Sequence, residues 1–170
     1  TATLNRGVAS VVTSSLPVGT DGVCAIYNGD SNDTGSTSAP PLAITIVKAP
    51  TTTVVSSSES PLPTLTPVVI SATVANGGTQ SATGLVTFVE DSVSIGVGTL
   101  NANGVATISI PSLSAGSHTF TANYAGDGLD LASPAPPFTQ VVQLRPTTDS
   151  LSTSTTSLTG GQQLTLISVV

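Results

Sequence analysis

The chain repeats itself. Pro50–Val74 (PTTTVVSSSESPLPTLTPVVISATV) aligns without a gap on Pro146–Val170 (PTTDSLSTSTTSLTGGQQLTLISVV), an offset of 96. Leu4–Lys48 aligns on Leu100–Arg145 at an offset of 96 that becomes 97 after one gap. The densest matches are Leu16/Leu113, Gly19/Gly116, Ala25/Ala122, Tyr27/Tyr124, Gly29/Gly126, Asp30/Asp127 and Asp33/Asp130. Self-similarity at a fixed period means a string of like structural units. The unit here spans 96 to 97 residues. Ala49–Arg145 is a complete copy, Thr1–Lys48 matches the later half of another, and Pro146–Val170 matches the opening of a third. The segment between Ala75 and Gly98 has no counterpart in either partial copy, and it carries what reads as a central strand.

Inside the complete copy the apolar residues recur every second position, which is the spacing of half-buried strands. Val68, Ile70, Ala72 and Val74 alternate on one run, and Val86 and Phe88 on the next. A turn is expected at Glu90–Asp91. Ala106, Ile108 and Ile110 follow an Asn103–Gly104 turn signal, then come His118, Phe120, Ala122 and Tyr124. Thr51–Ser57, Ile95–Leu100 and Phe138–Leu144 complete about seven strands, with Gly, Asn, Pro and Ser between them. No window has the 3.6-residue period of a helix. Seven short antiparallel strands in ~100 residues predict an all-β, immunoglobulin-like antiparallel β-sandwich.

Composition narrows the function. Charged residues are 7% of the chain, against roughly 25% in an ordinary soluble domain. Three Lys and Arg cannot neutralise a run of phosphates, so no nucleic-acid partner is expected. One Cys and one His cannot build a disulfide or zinc scaffold. No run approaches the ~18 apolar residues of a membrane span, so no membrane insertion is expected. Ser and Thr account for 52 of the 170 residues. Such a surface carries little charge repulsion and suits lateral packing between neighbours.

The run Leu113-x-x-Gly116-x-His118-x-Phe120-x-Ala122-x-Tyr124-x-Gly126-Asp127, with Gly84-x-Val86-x-Phe88 before it, resembles the signature of bacterial immunoglobulin-like tandem repeats. The resemblance covers the chain as partial, complete and partial repeats. It implies stalks and fibres of secreted and cell-surface proteins, and so an extracellular location. The first copy departs from the pattern, with Asp21 in place of the His and Val23 in place of the Phe.

The candidate chemistry is thin. His118 is the only imidazole and has no partners at triad spacing, so it reads as a structural residue at the start of a strand. Tyr27 and Tyr124 share the phase of the inward-facing Ala two residues earlier, so each reads as a core ring whose hydroxyl bonds nearby backbone. Asp30/Asp33 and Asp127/Asp130 lie in Gly-rich loops with Gly29 and Gly126. Two Asp at i and i+3 can supply part of a calcium shell, or they can form Asx turns that accept loop N–H groups. No metal, cofactor or catalytic set is assigned. Cys24 lies out of phase with Val23 and Ala25 and points away from the core; it can serve as a free thiol, as an intermolecular disulfide, or as a covered small residue between repeats. Lys48, the lone lysine, aligns on Arg145 near the next boundary, which rules out a lysine crosslink common to every unit.

Two functions are compatible with this reading. The first is a spacer or filament unit whose partners are neighbouring copies or adjacent repeats, with Pro50 and Pro146 stiffening the joints. The second is an adhesin-type module that recognises a glycan or protein ligand through its loops. The partial copies raise the prospect of strand complementation between chains. The segment absent from both weighs against it and favours a window on a longer array.

Overall fold

The computed structural model describes residues 1–78 and 80–170. Among them there is no helix. Fifteen strands follow in order: β1 (Gly19–Val23), β2 (Ile26–Tyr27), β3 (Ser36–Thr37), β4 (Leu42–Ile46), β5 (Thr51–Ser57), β6 (Leu62–Pro63), β7 (Val68–Asn76), β8 (Leu85–Glu90), β9 (Val93–Thr99), β10 (Val105–Ile110), β11 (Gly116–Tyr124), β12 (Ser133–Pro134), β13 (Phe138–Gln143), β14 (Ser150–Thr153) and β15 (Leu166–Val169).

The strands from β5 to β13 form a two-sheet sandwich. One sheet has the order β10-β7-β5; the other has the order β6-β13-β11-β8-β9, with β12 added beside β11. Alternation sets which side chains point inward. Val55, Val68, Ile70, Ala72 and Val74 come from the first sheet, and Val86, Phe88, Phe120, Ala122, Tyr124 and Val142 from the second. Phe88 and Phe120 are fully buried, and such a side chain stabilises the fold by roughly 1.5–3 kcal/mol relative to solvent exposure. Gly98 lets the layers close, because a Cβ there would lie 3.1 Å from Phe88, Ala106 and the Thr107 carbonyl.

All seven expected strands are present, and the sandwich is the expected architecture. One detail differs. The sandwich is not purely antiparallel: the chain leaves β5, crosses between the sheets, and pairs Leu62–Pro63 parallel to Val142–Gln143. Leu62 is buried at that crossing, which anchors it. The strand expected to be central in the segment missing from the partial copies is β8, which pairs β11 on one side and β9 on the other, with β9 at the edge. Its Val86 and Phe88 are fully buried.

Every buried core residue lies between Thr53 and Val142; no residue of 1–48 or 146–170 is buried. Those flanks nonetheless repeat the pairing of the complete sandwich. The β14–β15 register, Ser150↔Val169 to Thr153↔Leu166, becomes the β5–β7 register, Val54↔Thr73 to Ser57↔Ile70, when 96 is subtracted from each number. In the N-terminal flank Gly19 faces Ile46, as Gly116 faces Val142. That pairing makes Lys48 the counterpart of Leu144 and not of Arg145: the offset of 97 at Gly19 returns to 96 by β4. The extra residue is taken up between Ser38 and Leu42, where Ala39-Pro40-Pro41 stands in place of Pro136-Pro137.

Candidate functional site

The most densely bonded loop follows β11. Gly126 has φ +79°, and a Cβ there would lie 2.9 Å from the Asp130 carbonyl and the Ala132 nitrogen, so glycine is required for the chain to turn. Asp127 Oδ1 accepts the N–H groups of Leu129 and Asp130, both at 2.8 Å. Its Oδ2 accepts the Thr83 N–H at 3.0 Å and the Thr83 hydroxyl at 2.5 Å. These donors, the Thr83 hydroxyl first, hold the carboxyl well below the usual carboxylate range. Asp130 is buried, and both its oxygens accept the Asn76 Nδ2 amide, at 2.8 and 3.0 Å. Tyr124 closes the base: its hydroxyl donates to the Thr83 carbonyl at 2.8 Å. Burial, reinforced by the nearby Asp127 and Asp130 charges, pushes the phenol up to about 12.

The N-terminal flank has the same loop with fewer supports. Gly29 has φ +85°, and Asp30 Oδ1 accepts the N–H groups of Asn32 and Asp33 at 2.8 and 2.9 Å. The Asn32 N–H, then the Tyr27 hydroxyl, lower the Asp30 carboxyl; the same bond to Asp30 raises the Tyr27 phenol. Asp33 is exposed where Asp130 is buried, because no counterpart of β7 lies beside it to supply an Asn76. Both acidic pairs are therefore Asx turns. In the complete copy each of the four carboxylate oxygens accepts at least one N–H or O–H donor.

The outer side of this loop grips the segment that enters the sandwich. The Ala49 N–H donates to the Leu129 carbonyl and the Leu131 N–H donates to the Ala49 carbonyl, both at 2.8 Å. Lys48 Nζ donates to the Asp127 carbonyl. Just inside, Thr51 and Thr53 bond Ser133 through their hydroxyls, at 2.7 Å each, which pins β5 to β12.

His118 stands at the far end of β11. Its Nδ1 lies 2.8 Å from Glu90 Oε1 and 3.8 Å from Asp91 Oδ2, and its Nε2 lies 2.9 Å from the Ser114 carbonyl. Cys24 is exposed, as are its neighbours Val23 and Ala25.

Sequence reasoning left out Asn76, Thr83 and Glu90 as partners, and it missed the fully buried Gln140. Three of them carried a signal. Asn76 continues the inward phase of Val68 to Val74, Glu90 that of Val86 and Phe88, and Gln140 that of Val142. A polar residue on an apolar phase is held inside by a bond that local pattern cannot name.

Among solved structures, that of Clostridium thermocellum CbhA fibronectin(III)-like modules is similar to this chain at 17% identity, with a TM-score of 0.42, over 75% of this chain and 63% of that one. The chain thus spans under two thirds of that structure's length. A comparison with curated proteins found no match. The model of the bacterial Ig-like domain (group 3) matches residues 53–143, which is just over half of the chain and the whole of the buried core. Domains of this kind are structural or binding modules, typically non-enzymatic and typically parts of extracellular or surface proteins. The chain belongs to the bacterial Ig-like domain (group 3) family.

Proposed function

We propose that this chain is part of a tandem array of Ig-like units that acts as a spacer or fibre in a bacterial extracellular protein. The joint at Lys48–Ala49 carries the reading. The Tyr-x-Gly-Asp motif matched between copies builds the very loop that grips the incoming linker, through Ala49 on Leu129 and Leu131 and through Lys48 on Asp127. A loop bonded to the preceding segment on one side and to its own core on the other transmits orientation from unit to unit. Pro50 adds stiffness by restricting φ just after the clamp.

The flanks support the same partner. Their apolar side chains, including Val23, Ile26 and Leu42 before the core and Leu151, Leu166 and Ile167 after it, are exposed here. Each flank keeps the register of one face of the complete sandwich, so strands of a neighbouring repeat fit over it. Both flanks lack the β8–β9 hairpin, whose β8 lies between β11 and β9 and carries the fully buried Val86 and Phe88, so two flanks alone would leave the core open and a longer array fits them better.

Proteins with one, two and three linked copies of residues 49–145 test the reading. Small-angle scattering should give a maximum dimension that grows by a constant step per unit. Growth with the square root of copy number, as for freely jointed beads, would overturn it.

A further inference from the structure

Glu90 and His118 are the last polar members of two inward-facing phases, at the end of the sandwich away from the linker clamp. The His118 side chain is 12% exposed and that of Glu90 21%. Asp91 joins them from the β8–β9 turn, where Asp91 and Ser92 take φ of +44° and +73°. Positive φ at both residues of a two-residue loop is the type I′ hairpin turn, which fixes where Asp91 stands relative to β11.

Each of two groups is anchored on its far side. The Ser114 carbonyl, 2.9 Å from His118 Nε2, accepts only if that nitrogen carries the proton. Asp91 Oδ1 accepts the Thr119 N–H at 3.0 Å, and the Asp91 N–H donates to the Thr119 carbonyl at 2.9 Å. These anchors leave His118 Nδ1 and Asp91 Oδ2 turned toward Glu90 Oε1. One donor atom from each of the three residues lies within 4.8 Å of the other two. With the proton on Nε2, His118 Nδ1 stands 2.8 Å from Glu90 Oε1, a gap that takes either a second proton or a metal cation.

We propose that Glu90, Asp91 and His118 form a binding site for a divalent transition-metal ion of the zinc type. Tetrahedral zinc with N and O ligands at ~2.0–2.1 Å sets its donors about 3.3 Å apart. The Nδ1 separations of 2.8 and 3.8 Å bracket that value, so small side-chain rotations complete the set. Backbone acceptors behind a ligating His are what fix ring orientation in metal sites, and Ser114 provides one here. The fourth position faces solvent beside Asp91 and takes water. Occupancy ties the β8–β9 turn to β11.

The test is calorimetric titration of zinc chloride into the full chain, with Cys24→Ser in every sample because an exposed thiol is itself a zinc ligand. One saturable site is expected, weakened at least tenfold by His118→Gln and by Asp91→Asn. Asp91 is exposed, so its variant folds even if the His118 variant does not. The His118 Nδ1 resonance should shift on saturation, and calcium should not compete. A proton is the rival occupant of the gap. Absence of saturable zinc binding, binding unchanged in Asp91→Asn, or a His118 signal indifferent to zinc would overturn the proposal.

Discussion

Asn76 and Asp130 lie 54 residues apart, yet the Nδ2 of the first donates to both carboxylate oxygens of the second, at 2.8 and 3.0 Å. This contact ties the end of β7 to the linker-gripping loop. Its two partners are unequal, since one is neutral and the other a buried acid. Asn76→Ala strands the acid and should cost about 3 kcal/mol or more. Asp130→Ala leaves only a half-exposed amide that water can reach and should cost less, about 1–2 kcal/mol. Denaturant unfolding of the two single variants and the double variant checks that order; equal costs would show that the contact carries little.

Asp127 makes the fold acid-sensitive. Its folded value is depressed below the unfolded 3.8, so its contribution is fully present above that value and is lost as pH falls through the depressed one. The melting temperature should therefore drop below about pH 4. Asp127→Asn should start lower at neutral pH and show a flatter acid limb. A parallel acid limb in the variant would assign the sensitivity to other groups.

Tyr124 makes the fold alkali-sensitive with the opposite sign. Its folded value is raised from 10.0 to about 12, so its contribution is complete below pH 10 and is lost as pH climbs through 12. Phenolate absorbance should record Tyr124 ionising at high pH with the loss of structure. Tyr124→Phe removes the bond to Thr83, costs about 1 kcal/mol at neutral pH, and should blunt the alkaline decline.

Two glycines two residues apart should respond very unequally to alanine. At Gly126 the added methyl meets backbone at 2.9 Å in a left-handed conformation, and a loss of about 2 kcal/mol or more is expected. At Gly128 nothing lies within 4 Å, and the change should stay within about 0.5 kcal/mol. Thermal melts of both variants decide it, and similar losses would mean that the loop is not held as described.

A protein of residues 49–145 should fold alone and unfold cooperatively, because it contains every buried core residue. Ala49→Pro in the full chain removes the N–H that bonds Leu129. It should leave the core's melting temperature nearly unchanged while raising the nanosecond mobility of residues 1–48 in amide relaxation. Unchanged mobility would remove the clamp from the account of the joint.

The strands were legible because alternation is local. Inward and outward phases follow from the backbone's two-residue period, so Val68 to Val74 or Phe120 to Tyr124 announce their burial without knowledge of any partner. The glycine turn was legible for the same reason: Gly29 and Gly126 precede matched Asp residues, and an Asx turn spans only a few positions. Register between β5 and β7 was implicit in the alignment, since a preserved offset preserves pairing.

What stayed hidden depends on contacts between distant segments. Nothing within Leu62–Pro63 says that it pairs parallel to β13, and nothing in Val93–Thr99 says that β9 lies at a sheet edge. Glu90 looked like a turn residue until the fold set it against His118, 28 residues on. Lys48 looked equivalent to Arg145 until the pairing of Gly19 with Ile46 moved it to Leu144. By itself the sequence determined a repeated all-β unit with a Ser/Thr surface and a Gly-Asp turn, because these rest on spacing and composition. Only the tertiary structure decided which polar residues meet, since burial and a partner's position are properties of the packed chain. The repeat with which the chain declares itself thus predicts the unit, while the packing of the unit shows which loop holds Lys48 and Ala49 at its entrance.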